Sequence, residues 1–314
     1  MLFIALHSES GCFRRGQALG QAALLLSLSL LLSGCATALT RTTGAKAGLC
    51  GQEAADAALS AYDSLQSVAS DNAYYQGYLR IVVSPEPDKV DFTRVSDADM
   101  SSLIEQRVRV YRQFRDAYAL FQQLCADESD PNAAQDFASL FETLKGLSGD
   151  ETVSVETKKA VAELPDGFTA LWQASRIARI QTALGKLAAE LGVLWDKDIP
   201  VWDSYIDAVY IQHYASGLLS LRLSNFDEKD LSKAVDAPYG TPVKAGLYKL
   251  QKYREACQKA ARLKEQLRLV SKAFRQLATL HRQLSSQTPA FADILATQSK
   301  IGHYAALAEK TGKE

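Results

Sequence analysis

The sequence predicts an all-α protein, an elongated antiparallel helical bundle with coiled-coil-like long helices. Two observations predict this fold class. The 314 residues include only 8 prolines and 18 glycines, whereas alanine, leucine, glutamine, lysine and arginine, which favour helices, are abundant. Apolar residues also recur at helical and heptad-like spacing, and proline-containing segments separate these runs. We expect one helical domain over residues 50–314, or two parts divided near residue 164.

The first two predicted helices form a hairpin. Residues 51–83 carry apolar positions at helical spacing, and the segment around Pro85 ends that run. A second helix begins at Ser96 or Asp97, either of which is a plausible cap, and continues to Cys125. Its aromatic residues fall on one face, so both helices should pack against each other through apolar stripes.

The middle of the chain contains shorter or interrupted helices. A helix begins at Asp130, where a proline occupies the first turn, and ends near Gly146. Residues 148–164 are acidic and weakly patterned, which predicts a loop with a short helix. A strong apolar stripe starts after Pro165 and breaks near Pro200, and we expect a new helix to continue it.

The last two predicted helices follow a turn that ends at Pro242. The first of them continues to about Ser286 and is the longest of the predicted helices. Thr288 and Pro289 begin the final helix, which reaches about Glu309. No repeat recurs at a fixed period, so a solenoid is not expected.

A short apolar segment near the amino terminus leads into Leu32-Ser33-Gly34-Cys35. Residues 18–32 follow two arginines and have the length of a signal-peptide core, below the ~20 apolar residues that a membrane-spanning helix needs. The four residues that end at Cys35 resemble the lipobox of bacterial lipoproteins. The resemblance implies that residues 1–34 are a cleaved signal peptide and that Cys35 carries the acyl chains, palmitate among them.

The resemblance also implies a location. Two or more acyl chains hold a protein durably on a bilayer, so Cys35 would be a sufficient membrane anchor. Ala36 follows it, whereas an aspartate there marks retention in the inner membrane, and the outer membrane is therefore favoured. Residues 35–49 are rich in Thr, Ala and Gly, and we expect them to form a flexible tether for a body that faces the periplasm.

Three cysteines remain outside the leader and the anchor, in a compartment that would be oxidising. The two helices of the predicted hairpin are each roughly 45 to 50 Å long. Cys50 opens the first helix and Cys125 closes the second, so we predict that they meet at one end and form a disulfide, with two free buried thiols as the alternative. Cys257 lies in a core register and is expected to be a buried, inert thiol.

The sequence contains no recognisable motif for catalysis, cofactor binding or metal binding. Asp203 and Asp207 lie one helical turn apart, and the favoured interpretation is a solvated acidic face, with a metal or acid–base site as the alternative. The other candidates, His213, His281 and His303, are interpreted as core-edge residues. We therefore expect a protein that is not an enzyme and uses no cofactor and no metal.

Charge is unevenly distributed. The formal net charge of −1 becomes −2 without residues 1–34, and this near-neutrality argues against a nucleic-acid partner. Eleven lysines and arginines lie between positions 244 and 282, whereas residues 127–156 hold eight acidic residues. The simplest interpretation is that the basic helix packs against an acidic part of the same bundle or is solvated. The alternative is attraction to anionic lipid or to an acidic partner through Lys252, Arg262 and Lys272.

Tyrosines cluster at helical spacing, which places them first in the core or at its edge and only second along a groove. They are Tyr74, Tyr75 and Tyr78, then Tyr205, Tyr210 and Tyr214. Taken together, the features favour a membrane-anchored helical lipoprotein that acts as a protein-binding scaffold, adaptor or inhibitor in the cell envelope. The alternative is a helical bundle that binds a lipid or a small apolar ligand.

Overall fold

In a computed structural model, long helices pack side by side around one aromatic core. The structure describes residues 10–83, 97–126, 155–162, 173–212, 242–285 and 291–313, with positions 139, 142 and 146. Every regular element in these ranges is helical, which confirms the all-α fold class. The elements are α1 (Ser10–Val83), α2 (Ala98–Ala126), α3 (Val155–Ala162), α4 (Gln173–Ile206), a π-helix (Asp207–Gln212), α5 (Pro242–Leu284) and α6 (Phe291–Lys313).

The predicted hairpin is confirmed at the end of its first helix and at both ends of its second, whereas its first helix begins at Ser10 and not at residue 51. Helix α1 ends at Val83, and α2 covers Ala98–Ala126. The carbonyl of Asp97 accepts a hydrogen bond from the amide of Ser101 at 2.9 Å, so Asp97 is the residue that precedes the first turn. Helix α5 likewise begins at the predicted Pro242. The helix expected from Asp130 to Gly146 and the turn before Pro242 lie outside the described ranges, apart from three isolated positions.

The predicted break at Pro200 is wrong. Helix α4 continues through Pro200 to Ile206 and passes directly into the π-helix. Trp195 and Trp202 are both buried to 1% exposure on either side of the proline. Packing of these two indoles holds the segment on the core, which outweighs the one backbone hydrogen bond that a proline removes.

The expected flexible tether also differs from the structure, because residues 41–49 are helical and packed. Three glycines of α1 lie directly against α2: Gly44 faces Cys125, Gly48 faces Gln122 and Gly51 faces Tyr118. A Cβ atom at Gly48 would lie 2.6 Å from the Cβ and 2.8 Å from the Cα of Gln122. Composition suggested a flexible segment, whereas small side chains here permit close approach of two helices.

The predicted disulfide is not formed: Cys50 and Cys125 are free and buried. The reason is the register of the hairpin. Cys125 lies at the level of Gly44, six residues before Cys50, and this offset corresponds to about 9 Å along α1. A disulfide requires Cα atoms within about 7 Å. Cys257 also departs from its prediction, because it is only partly buried.

Aromatic rings from four helices fill the centre of the bundle. Tyr62 of α1 lies 5.2 Å from Trp195 and 5.7 Å from Tyr111, measured between ring centroids. Tyr111 also contacts Phe274 of α5 at 5.5 Å and donates a hydrogen bond from its hydroxyl to the carbonyl of Leu191 at 2.9 Å. Edge-on ring pairs of this kind add to the gain from burial. The described part of the core is therefore densely packed.

A largely buried ion pair joins α2 to α4. Nε of Arg107 lies 2.7 Å from Oδ2 of Asp198, and a second nitrogen of the same guanidinium reaches Oδ1 at 3.3 Å. The two side chains are only 16% and 14% exposed. This two-point pair fixes how the start of α2 meets the end of α4.

Three ion pairs join α4 and the π-helix to α5 in antiparallel register. They are Asp196–Arg275 at 2.9 Å, Asp203–Arg268 at 3.3 Å and Asp207–Lys264 at 2.6 Å. The acidic partners are spaced by seven and then four residues, and so are the basic ones, as in an antiparallel coiled coil. The basic helix therefore packs against an acidic face of the same bundle, and that face lies on α4 and the π-helix.

Among the described residues, no helix is both long enough and apolar enough to cross a membrane.

Candidate binding cleft

A cleft of about 580 Å³ lies where α1, the π-helix and α5 meet. We call it the tyrosine cleft. Helix α1 contributes Asp71, Tyr74 and Tyr75, and the π-helix contributes Val209 and Tyr210. The volume is within the range of sites that hold small ligands or the side chains of a bound peptide.

Local helix geometry explains why these side chains converge. Residues 71, 74 and 75 are three and four positions apart, so they share one face of α1. In the π-helix the turn is wider than in an α-helix, and the neighbouring residues Val209 and Tyr210 are both buried at 4% exposure. Short π-helices often occur at functional sites, because the extra residue redirects side chains.

The wall that α5 contributes is charged. Its side chains also recur at helical spacing: Lys252, Glu255, Lys259 and Arg262. With Asp71 opposite, the tyrosine cleft contains three cationic and two anionic side chains, and its formal charge is therefore positive by one.

Asp71 ties the three walls together. One of its carboxylate oxygens, Oδ2, accepts hydrogen bonds from the hydroxyl of Tyr210 at 2.5 Å and from Nζ of Lys259 at 2.9 Å. The same ammonium lies 4.8 Å from the centre of the Tyr210 ring. One carboxylate, one hydroxyl and one ammonium, from three different elements, thus join the walls of the tyrosine cleft.

The rim of the tyrosine cleft exposes large apolar and aromatic side chains. Tyr74 is 76% exposed on the α1 side, and Tyr248 is 61% exposed on the α5 side. Nζ of Lys252 lies 5.6 Å from the Tyr248 ring, which places that ring beside the cleft. Exposed tyrosines beside cations are typical of surfaces that bind other molecules.

Lys252 and Glu255 form an exposed ion pair within the α5 wall of the cleft. Nζ of Lys252 lies 2.7 Å from Oε2 of Glu255. Hydrogen bonds from Lys252 and then from Gln251 lower the pKa of Glu255 below its usual value. Both partners of this pair are solvated, and such pairs contribute little to stability.

The structure separates the three predicted partner-binding residues. Lys252 and Arg262 lie together in the tyrosine cleft. Lys272 lies elsewhere on α5, with its ammonium 3.6 Å from the carboxylate of Glu265 and 5.9 Å from the ring of Tyr304 on α6. Lys272 therefore lies outside the tyrosine cleft, beside the seam between α5 and α6, and binding of a partner by these three residues stays a prediction.

The tyrosine prediction is confirmed in part. Tyr74, Tyr75 and Tyr210 line a groove, which was the second interpretation of their spacing. Tyr205 is instead at a core edge, where its hydroxyl donates a hydrogen bond to the carboxylate of Asp97. Tyr78 and Tyr214 lie outside the described side chains.

Two residues that sequence reasoning missed organise the site, Asp71 and Lys259. Their helical spacing to Tyr74, Tyr75 and Lys252 was a usable signal within each helix. The signal that α1 and α5 meet at this level was not available, because it depends on the packing of the whole bundle.

The histidine candidates have different fates. His281 is buried in the core at 4% exposure, and Nε2 lies 2.7 Å from the hydroxyl of Tyr118. Burial lowers the pKa of His281 to about 4, and the backbone of Gln181 acts in the opposite direction. His303 is exposed on α6, and His213 lies outside the described residues. His281 is therefore a neutral residue of the core at neutral pH and is shielded from solvent.

Buried thiols show the same effect of desolvation. Burial raises the pKa of Cys50 and of Cys125 to about 12. Both thiols are consequently protonated at neutral pH and poor nucleophiles. The backbone of Cys35 lies within α1, and its side chain lies outside the part that the structure describes.

The chemistry available in the tyrosine cleft is binding. Its lysines and arginine can donate hydrogen bonds to carboxylate or phosphate groups, and its rings can pack against apolar side chains. In the described part of the chain, no three His, Cys, Asp or Glu residues are grouped so that they could hold a metal ion. Comparison of the chain with protein-family models, curated proteins and solved structures finds no match.

Proposed function

We propose that this chain is a lipid-anchored helical scaffold of the bacterial cell envelope that binds a protein partner through the tyrosine cleft. Cys35 would attach it to the outer membrane, and the helical body would face the periplasm. The observation that carries the proposal is the combination of exposed aromatic rings with cationic side chains at one cleft. Tyrosine and arginine are enriched at the energetic centres of protein interfaces.

The alternative is a lipid or small apolar ligand held between the helices, and it receives less support. The described core is occupied by the rings of Tyr62, Tyr111, Trp195 and Phe274, and such packing leaves little room for an acyl chain. The volume of the tyrosine cleft would also suit a small ligand, but its charged α5 wall is a poor match for an apolar one, so we retain the scaffold.

Charge reversal within the cleft tests partner binding. We expect Lys252→Glu combined with Arg262→Glu to abolish co-purification of the partner from detergent-solubilised envelopes of the native host. Lys272→Glu is the matched control on the same helix, and it should leave the partner bound. Circular dichroism of each variant checks that helicity is retained. Equal recovery of the partner with the double variant and with the control would contradict the proposal.

Anchoring is tested separately. Cys35→Ala removes the thiol that would be acylated, so the protein should leave the detergent-dependent membrane fraction or accumulate with its leader attached. Mass spectrometry of the amino-terminal peptide should find an acylated Cys35 in the unsubstituted protein. A normally processed Cys35→Ala protein in the membrane fraction would contradict the lipid anchor.

A further inference from the structure

The position of the tyrosine cleft along α1 restricts what can occupy it. Cys35 and Asp71 belong to one uninterrupted helix and are 36 residues apart, which corresponds to about 54 Å of helix. If Cys35 is acylated, α1 is a rod that carries the cleft away from the anchoring leaflet. Lipid headgroups of that leaflet reach the cleft only when the rod lies flat on the membrane.

The cations of the cleft form a row. Lys252, Lys259 and Arg262 lie along one wall of α5, and the ten residue steps from the first to the last span about 15 Å. A compact anion would contact one or two of them. An extended peptide advances about 3.3 Å per residue, so four to five residues would follow the whole row.

Carboxylates of this chain already contact the row, Asp71 and Glu255 among them. Asp71 contacts Lys259 at 2.9 Å, and Glu255 contacts Lys252 at 2.7 Å. Both pairs are solvated, with side chains 45% and 49% exposed in the first and 39% and 46% exposed in the second. The first pair also holds the π-helix, because Asp71 accepts a hydrogen bond from the hydroxyl of Tyr210. A carboxylate from outside can therefore take the place of Glu255 on Lys252 with little loss to the fold.

We propose that the tyrosine cleft binds an acidic, extended segment of the partner protein, with carboxylates along the row of Lys252, Lys259 and Arg262 and an apolar side chain against Tyr74 and Tyr248. This inference rests on the proposed function and names the partner chemistry of the same site. Charge along the row sets the register, and the rim rings supply contact area. The net positive charge of the cleft favours an acidic segment over a basic one.

Selection from a library of random octapeptides, displayed on phage, tests the proposal with the full chain in mild detergent. We expect enrichment of peptides in which two or more Asp or Glu accompany an aliphatic or aromatic residue. Synthetic versions of the selected peptides should bind Lys252→Gln combined with Arg262→Gln at least about tenfold more weakly. Lys272→Gln should bind them within about twofold, and replacement of the peptide carboxylates by amides should abolish the difference.

Other outcomes overturn the inference. Enrichment of uncharged or basic peptides, or no enrichment, would exclude an acidic segment. Binding to phosphatidylglycerol-containing vesicles that the double variant loses, without acidic peptides in the selection, would assign the cleft to lipid headgroups. The envelope co-purification tests partner binding separately from the acidic segment. If the double variant loses the partner, the proposed function stands, even where the peptide selection rules out an acidic segment.

Discussion

Substitution of Gly48 by alanine tests the packing of residues 41–51 against α2. The added Cβ would lie 2.6 Å from the Cβ, 2.8 Å from the Cα and 3.0 Å from the backbone nitrogen of Gln122. Backbone atoms cannot rotate away as a side chain can, so the helices must separate locally. Overpacking of this kind costs about 1 to 3 kcal/mol, and the better helix propensity of alanine returns at most about 1 kcal/mol. We expect a net loss of about 1 to 2 kcal/mol.

Equilibrium urea unfolding of the full chain in mild detergent, followed by circular dichroism, measures this loss. Gly302→Ala in α6 is the matched control. Its added Cβ would lie 3.3 Å from an oxygen of Glu53, at the end of a flexible side chain, so the propensity gain should dominate and the variant should be unchanged or more stable. If Gly48→Ala is as stable as Gly302→Ala, residues 41–51 are not packed on α2 and the flexible-tether prediction would be restored.

Three further predictions follow from burial. His281 has a pKa of about 4 when folded and about 6.5 when unfolded, so the unfolded state binds the extra proton and the free energy of unfolding falls as pH drops from about 6.5 towards 4. In urea unfolding, the contribution of His281 to this free energy should be about 2 kcal/mol smaller at pH 5 than at pH 7.5, and His281→Gln should remove the difference. Iodoacetamide should modify Cys257 in the native protein, but Cys50 and Cys125 only after unfolding, and a disulfide between the latter two in peptide mapping would contradict the register of α1 and α2. Asp198→Ala leaves a largely buried guanidinium without its carboxylate and should cost about 2 to 3 kcal/mol in the same unfolding assay, whereas loss of an exposed ion-pair carboxylate should cost under about 1 kcal/mol.

Local signals predicted most helix boundaries. The cap at Asp97, the proline-containing segment after Val83 and the start of α5 at Pro242 agree with the helices observed. Each is set by residues within one turn, so sequence alone suffices. The continuation of α4 through Pro200 is different, because two buried indoles on either side of the proline hold that segment on the core.

Features that depend on the partner helix were beyond sequence reasoning. Gly44 and Gly48 suggested flexibility, and only the close approach of α2 shows that they, like Gly51, are contact positions. The offset of Cys50 from Cys125 follows from the same register. The sequence indicated that the basic helix could pair within the bundle, but the acidic segment that stood out was residues 127–156. Asp203 and Asp207 were interpreted as a solvated acidic face, whereas in the structure they pair with Arg268 and Lys264 of α5.

The tyrosine cleft combines both kinds of information. Each wall could be recognised as one helix face from spacing alone, as for Asp71, Tyr74 and Tyr75. Their convergence with Tyr210 depends on the π-helix, which the sequence pattern around it did not predict. The cleft is thus a product of tertiary packing, although its residues on α1 and α5 follow ordinary helical periodicity.

Photocrosslinking in living cells tests the central claim, that a lipid-anchored scaffold binds a protein partner at the tyrosine cleft. A photoreactive phenylalanine analogue replaces the exposed Tyr74, and the control carries it at Leu295, which is 40% exposed on α6. We expect a crosslinked protein adduct from position 74 that is absent from position 295 and is lost when Cys35→Ala removes the anchor. Equal adducts from both positions, or no protein adduct from position 74 in the anchored chain, would contradict it.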